Sequence, residues 1–211
     1  KNDYEYAKTK LNNISFFILP CSEFKKRNKK VLREELALTK FSPIIATHGL
    51  MNTNKNIPDI VRAISKLKKD YPDILLLSLS AVSSNNIYSQ GVYEEVISLI
   101  NEKKLENNVI VFTNFLSDPE IEVILRCSDV NIWAYKDVGE SASASIRKAL
   151  ASDNPSIVTD INMFSELKDE VLKIKDGSPE QIEVGIKKVL NDKDLVEKIT
   201  SRAKEFIERY S

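Results

Sequence analysis

From residue 43 onward the chain alternates two apolar patterns. Short, nearly continuous runs rich in β-branched residues, PIIAT (43–47), DILLLSLSAV (73–82), NVIVFT (108–113), DVNIWAY (129–135), PSIVT (155–159) and EVLKIK (170–175), predict strands. The segments between them, IPDIVRAISKLKKDY, VYEEVISLINEKKL, DPEIEVILRCS, ASASIRKALAS and MFSELKD, place apolar residues three and four apart, as at Ile60, Ala63, Ile64 and Leu67, and predict helices. Strands apolar along their whole length and joined by helices imply a parallel sheet covered on both faces, because a parallel connection needs a crossover. The expected fold is therefore a Rossmann-like, doubly wound α/β domain of about six strands. Two further amphipathic segments, SPEQIEVGIKKVLND and LVEKITSRAKEFIERY, close the chain as helices.

Ahead of this alternation, residues 1–40 hold one apolar run, ISFFILP, and a basic helical stretch, FKKRNKKVLREELAL. They read as a lead-in to a domain spanning 41–211. The start KNDYEYAKTK has neither an initiating methionine nor an apolar signal core, so a piece of a longer protein is expected.

Composition narrows the chemistry. Lys plus Arg and Asp plus Glu balance at 31 each, which gives no field to recruit nucleic acid. Only Cys21, Cys127 and a single histidine, His48, are present, too few for a disulfide framework or a metal cage. The expected location is the cytoplasm. KKRNKK (25–30) reads as a solvated helix face, with peripheral contact to an anionic membrane as the alternative.

In a doubly wound sheet, ligands bind beyond the carboxyl ends of the strands, so the loops after each strand are the places for chemistry. The first, THGLMNTNKNIPD (47–59), is neither a GxGxxG nor a GxxxxGK[ST] loop, but it carries Gly49 and Lys55, a cation able to meet a phosphate. A solvated loop with a helix cap is the plain alternative. The third-strand loop, TNFLSDPEIE, offers Asp118 as a cap and Phe115 and Leu116 as either a platform for a flat base or a hydrophobic staple. After the fourth strand comes GESASASIRKALAS (139–152). Ser141, Ala142 and Ser143 are expected in the first turn of a helix, where bare amides favour an anion; Glu140 just outside is suited to accept sugar hydroxyls. A simple helix start explains the same residues.

Taken together and in order, these stretches resemble the donor-binding, carboxyl-terminal half of GT-B glycosyltransferases of the retaining group 1 class. The resemblance is carried by IIATHGLMNTNKNIPDIVRAI, NNVIVFTNFLSDPEIEVILRCSDVNIWAY and GESASASIRKALASDNPSIVTDINMFSEL, with LREELAL similar to the family's interdomain segment. It implies that Gly49 makes a close turn and that Lys55 faces the donor diphosphate. It further implies that Asn114, Phe115 and Leu116 border the base, Glu140 holds sugar hydroxyls, and Ser141, Ala142 and Ser143 meet phosphate or sugar. On this resemblance Glu140 and Lys55 are the residues that act on the reacting ends, and the reaction is retaining transfer from a UDP- or GDP-sugar to a hydroxyl acceptor, in polysaccharide or glycoconjugate synthesis. No cofactor or metal is implied. A sugar or lipid-linked acceptor would be held by an amino-terminal domain of which residues 1–40 are the remnant, and the chain alone would turn over nothing.

Three positions depart from the family's pattern. Leu50 stands where an arginine or lysine is common, and Asn56 where a glycine is common. The pattern's second acid, which binds the ribose, follows the first after seven intervening residues, and counting from Glu140 this position is Lys148, which can only donate. A non-catalytic interaction module of the same fold therefore remains the alternative. Asp192 to Asp194 read as a helix end and cap rather than a metal pair, and Trp133 and Tyr135 as packing residues with a polar handle.

Overall fold

The structure is a computed structural model in which residues 27–137, 139 and 143–210 are described. ISFFILP, Val138, Glu140, Ser141 and Ala142 lie outside the described residues. Six strands form one sheet: β1 (Ile44–Leu50), β2 (Leu75–Ala81), β3 (Val109–Phe112), β4 (Val130–Trp133), β5 (Ser156–Thr159) and β6 (Leu172–Ile174). Every pairing is parallel and the order is β3-β2-β1-β4-β5-β6. The helices are α1 (Lys29–Glu35), α2 (Ile57–Leu67), α3 (Ile87–Glu102), α4 (Asp118–Cys127), α5 (Ala144–Leu150), α6 (Pro179–Asn191) and α7 (Lys193–Tyr210). This is the expected Rossmann-like architecture.

The period of two along each strand divides the core. Ile44, Ala46, Leu75, Leu77 and Leu79 face one side, with Leu32 of α1, Ile121 and Leu125 of α4, Ile146 and Leu150 of α5 and Phe206 of α7. Ile45, Ile74 and Leu76 face the other, with Ile60 and Ile64 of α2, Val96 of α3 and Ile186 of α6. Each such fully buried Leu or Ile contributes about 1.5–3 kcal/mol.

Helix α1, read from the sequence as a lead-in, lays Leu32 into this core. Arg33 Nε donates to the Cys127 carbonyl at 2.7 Å and its guanidinium pairs with Asp129 at 2.8 Å. Asp129 also accepts the Ile44 N–H at 2.7 Å, so α1 is clamped to the start of β1.

Four elements differ from the sequence reading. β1 runs on to Leu50, paired with Ala81, so His48 and Gly49 lie in a strand rather than a loop. α3 begins five residues early, because Asn86 accepts from the N–H groups of Tyr88 and Ser89 and the helix continues through Gly91. MFSELKD forms only a 3-10 turn, Asn162–Phe164, whose i to i+3 bonds suit Phe164 and Leu167, both wholly buried three residues apart. α5 starts at Ala144, so Ser143 precedes the first turn instead of belonging to it: its backbone is extended and its Oγ lies 3.1 Å from Ser145 Oγ.

Candidate functional site

The strand order places β1 between β2 and β4, and the connections leaving these central strands run to opposite faces of the sheet. A crevice therefore opens beyond the carboxyl ends of β1 and β4, the usual ligand position in such sheets. A cleft of about 380 Å³ lies there, lined by His48, Gly49, Lys55, Asn114, Phe115, Leu116, Tyr135, Ser143, Ser145 and Lys148 among others.

Gly49 permits close approach, and no turn is involved: it lies within β1, and a Cβ there would sit 3.0 Å from the Tyr135 hydroxyl, a tight contact. That hydroxyl donates to the His48 carbonyl at 3.2 Å and lies 3.1 Å from Ser145 Oγ. Trp133 Nε1 donates to the same Ser145 Oγ at 2.8 Å. The ends of β1 and β4 and the start of α5 are thus joined through Tyr135 and Ser145. Neither Tyr135 nor Ser145 was singled out from the sequence as a site residue. A glycine inside an apolar run was the available signal, since it often marks close approach of another group.

Lys55 ends a 3-10 turn, Thr53–Lys55, and its Nζ stands 4.0 Å from the centre of the Tyr135 ring. The turn is no solvated loop. Asn54 is buried and its carbonyl accepts the Lys136 N–H at 2.8 Å, while Asn56 Nδ2 donates to the Gly177 carbonyl at 2.7 Å. Asn56 has φ +60°, a left-handed conformation that glycine adopts freely and asparagine tolerates best among the others. The departure noted in the sequence at this position thus keeps the backbone shape a glycine would give.

On the opposite wall, Ser117 caps α4 in a box with Glu120, whose carboxylate accepts the Ser117 N–H at 2.7 Å. Asp118 is therefore not the cap; it is the first residue of α4 and forms an ion pair with Lys148 of α5. Leu116 packs against the core cluster that holds Ile121, as a staple does, and also faces the cleft. Phe115 is 78% exposed.

His48 lies between these walls. Burial pushes its imidazole down to about 4, helped by the nearby Lys148 ammonium and opposed by Asp118. It is neutral at physiological pH, and its Nδ1 is buried with no hydrogen-bond partner among the described residues.

Of the residues proposed from the sequence, the cleft brings together Gly49, Lys55, Asn114, Phe115, Leu116, Ser143 and Lys148. Glu140, Ser141 and Ala142 lie outside the described residues. Elsewhere, Asp192 accepts the Leu195 N–H at 2.9 Å as a helix cap.

The profile described as "Glycosyl transferases group 1" matches residues 28–206. The chain belongs to the group 1 glycosyltransferase family. Solved group 1 and related structures share its fold. The C-terminal domain of a glycosyl transferase group 1 family protein, LpcC, from Francisella tularensis superposes with a TM-score of 0.74 at 17% identity, covering 88% of this chain and 94% of that one. Sucrose-phosphate synthase from Thermosynechococcus elongatus gives 0.76 at 16% identity, covering 99% of this chain and 52% of that one. Anabaena HepE, solved in complex with UDP and glucose, gives 0.72 at 15% identity, covering 86% and 47%. This group 1 chain thus matches a carboxyl-terminal domain almost whole and spans about half of the longer neighbours. No curated protein sequence matches it. Among the described residues no helix is long and apolar enough to cross a membrane.

Proposed function

We propose that this group 1 domain binds the donor, a UDP- or GDP-sugar, in the cleft at the carboxyl ends of β1 and β4, for retaining transfer to a hydroxyl acceptor. The observation that carries the reading is the meeting, in one cleft, of a close-approach glycine at the end of β1 (Gly49), a cation on the fixed turn that follows it (Lys55) and an exposed aromatic on the loop after β3 (Phe115). Lys55 would sit against the diphosphate and stabilise the charge that grows as the sugar leaves, a role fit for a preorganised cation. Phe115 and Asn114 would take the base. Glu140, one residue after Gly139 in the connection that leads to α5, would hold the sugar hydroxyls. In this scheme the residues named need no metal ion.

Leu50 and Phe115 of the cleft, and Ile87 and Tyr88 at the start of α3, are all exposed and all on segments at the carboxyl edge of the sheet. A surface of this kind suits docking of a second domain that would bring the sugar or lipid-linked acceptor. The chain by itself would then bind donor and transfer nothing.

Calorimetric titration of the chain with UDP, GDP and ADP tests the reading. One of the first two should bind, and Lys55→Met should weaken it by about 2 kcal/mol, the worth of a hydrogen bond to a charged group, or roughly 30-fold in Kd. Binding of none of them, or equal binding by the variant, would overturn the assignment.

A further inference from the structure

A nucleotide with its diphosphate at Lys55 and its base at Phe115 must lay its ribose on the stretch of wall between them. That stretch is not apolar. Lys148, one turn past Ser145 on α5, lines the cleft and reaches across to Asp118, which follows Phe115 by three residues at the start of α4. The ion pair therefore ties α4, which follows the Phe115 loop, to α5, whose residues Ser145 and Lys148 line the cleft. Its two members differ in what they leave open. The Lys148 side chain is 20% exposed, whereas Asp118 is 69% exposed. The capping of α4 is already done by Ser117 and Glu120, so the Asp118 carboxylate has no part in it. Both charges also act on the imidazole of His48, which lines the same cleft.

A ribose offers two adjacent hydroxyl donors, and a carboxylate is the side chain that only accepts and can take both at once. Lys148 cannot do this, since an ammonium only donates.

We infer that Asp118, held in place by Lys148, is the residue that accepts the 2′ and 3′ hydroxyls of the donor's ribose. The inference rests on the donor-binding reading above. Lys148 is a positioning residue in this arrangement: it lines the cleft and holds one oxygen of the Asp118 carboxylate beside it, and the other oxygen would take the ligand. The consequence is selectivity for ribonucleotides over deoxyribonucleotides, written by a residue of α4 and not by α5.

The test compares UDP and GDP with their 2′-deoxy and 3′-deoxy counterparts by calorimetric titration, using the 211-residue chain and its Asp118→Asn and Lys148→Met variants. The wild-type chain should bind the ribonucleotide about 10-fold more tightly than either deoxy form, a difference of about 1.4 kcal/mol. Asp118→Asn should weaken the ribonucleotide by about that factor and bring ribo and deoxy forms within about twofold of each other. Lys148→Met should shrink the discrimination while the deoxy affinities stay nearly constant, which a purely structural role would not produce. If the wild-type chain binds UDP or GDP and Asp118→Asn keeps full discrimination against the deoxy forms, the inference falls and donor binding stands. If no nucleotide binds the wild-type chain, the donor-binding reading falls and takes the inference with it.

Discussion

At the Lys55 end of the cleft, the binding wall is bonded to the body of the domain on several sides: Asn54 to Lys136, Asn56 to Gly177, and Tyr135 to both His48 and Ser145. At the Phe115 end, the wall hangs on the capping box of α4 and on Leu116, and the aromatic ring itself projects into solvent. The first end resembles a core that happens to reach the surface, and the second a surface that leans on the core. A fixed charge is worth most where it does not have to be reorganised, so the phosphate end gains from rigidity. A flat apolar platform needs only area, so the base end loses little by being open.

That contrast makes substitutions separate cleanly. The largest effect is expected at Gly177, where a Cβ would meet Asn56 Nδ2 at 2.6 Å and the Ala134 carbonyl oxygen at 2.7 Å. Backbone has to move to admit it, so Gly177→Ala should cost about 2–3 kcal/mol in urea denaturation and weaken nucleotide binding with it. A stable variant with normal binding would show that the Lys55 turn does not depend on this packing.

His48 probes the junction between the two ends through pH. Its imidazole titrates near 4 in the folded chain and near 6.5 when unfolded. In the interval the unfolded state takes up a proton that the folded state refuses, so stability is full above about pH 7 and falls as pH drops. Between pH 7 and 5 the loss attributable to this group is about 2 kcal/mol. His48→Gln should flatten that part of the denaturation profile; an unchanged slope would mean that the ring is not held neutral.

The smallest effect belongs to the open end. Phe115→Ala should leave stability within about 0.5 kcal/mol, as a substitution away from the core does. It should weaken nucleotide binding by about 1 kcal/mol through lost stacking. A marked fall in melting temperature would erase the contrast between the two ends.

Most of the sheet was legible in the sequence because buried parallel strands write themselves as uninterrupted apolar runs, and the order of those runs is the order of β1 to β6. The helix faces followed from their three-and-four spacing. What escaped was set by contacts between distant segments. Gly49 looked like a turn glycine because no local pattern reveals that Tyr135, just past the end of β4, occupies the space above it. Asn56 looked like a departure because no local pattern reveals that its backbone is left-handed or that its side-chain amide bonds to the Gly177 carbonyl, far along the chain. Asp118 looked like the cap of α4 since Ser117 and Asp118 are both good capping residues, and only the Glu120 carboxylate reaching back decides for Ser117. The short α5 was placed too early because Ser143 bonds to Ser145 instead of to the helix amides, a choice that composition does not encode.

Trp133 is the only tryptophan in the chain, and its indole N–H donates to the Ser145 oxygen that also lies within bonding distance of Tyr135 and Ser143. The domain thus carries a single indole fluorophore, hydrogen-bonded to the floor of its cleft. Its emission is an optical readout of that floor, free of background from any second indole and needing no label.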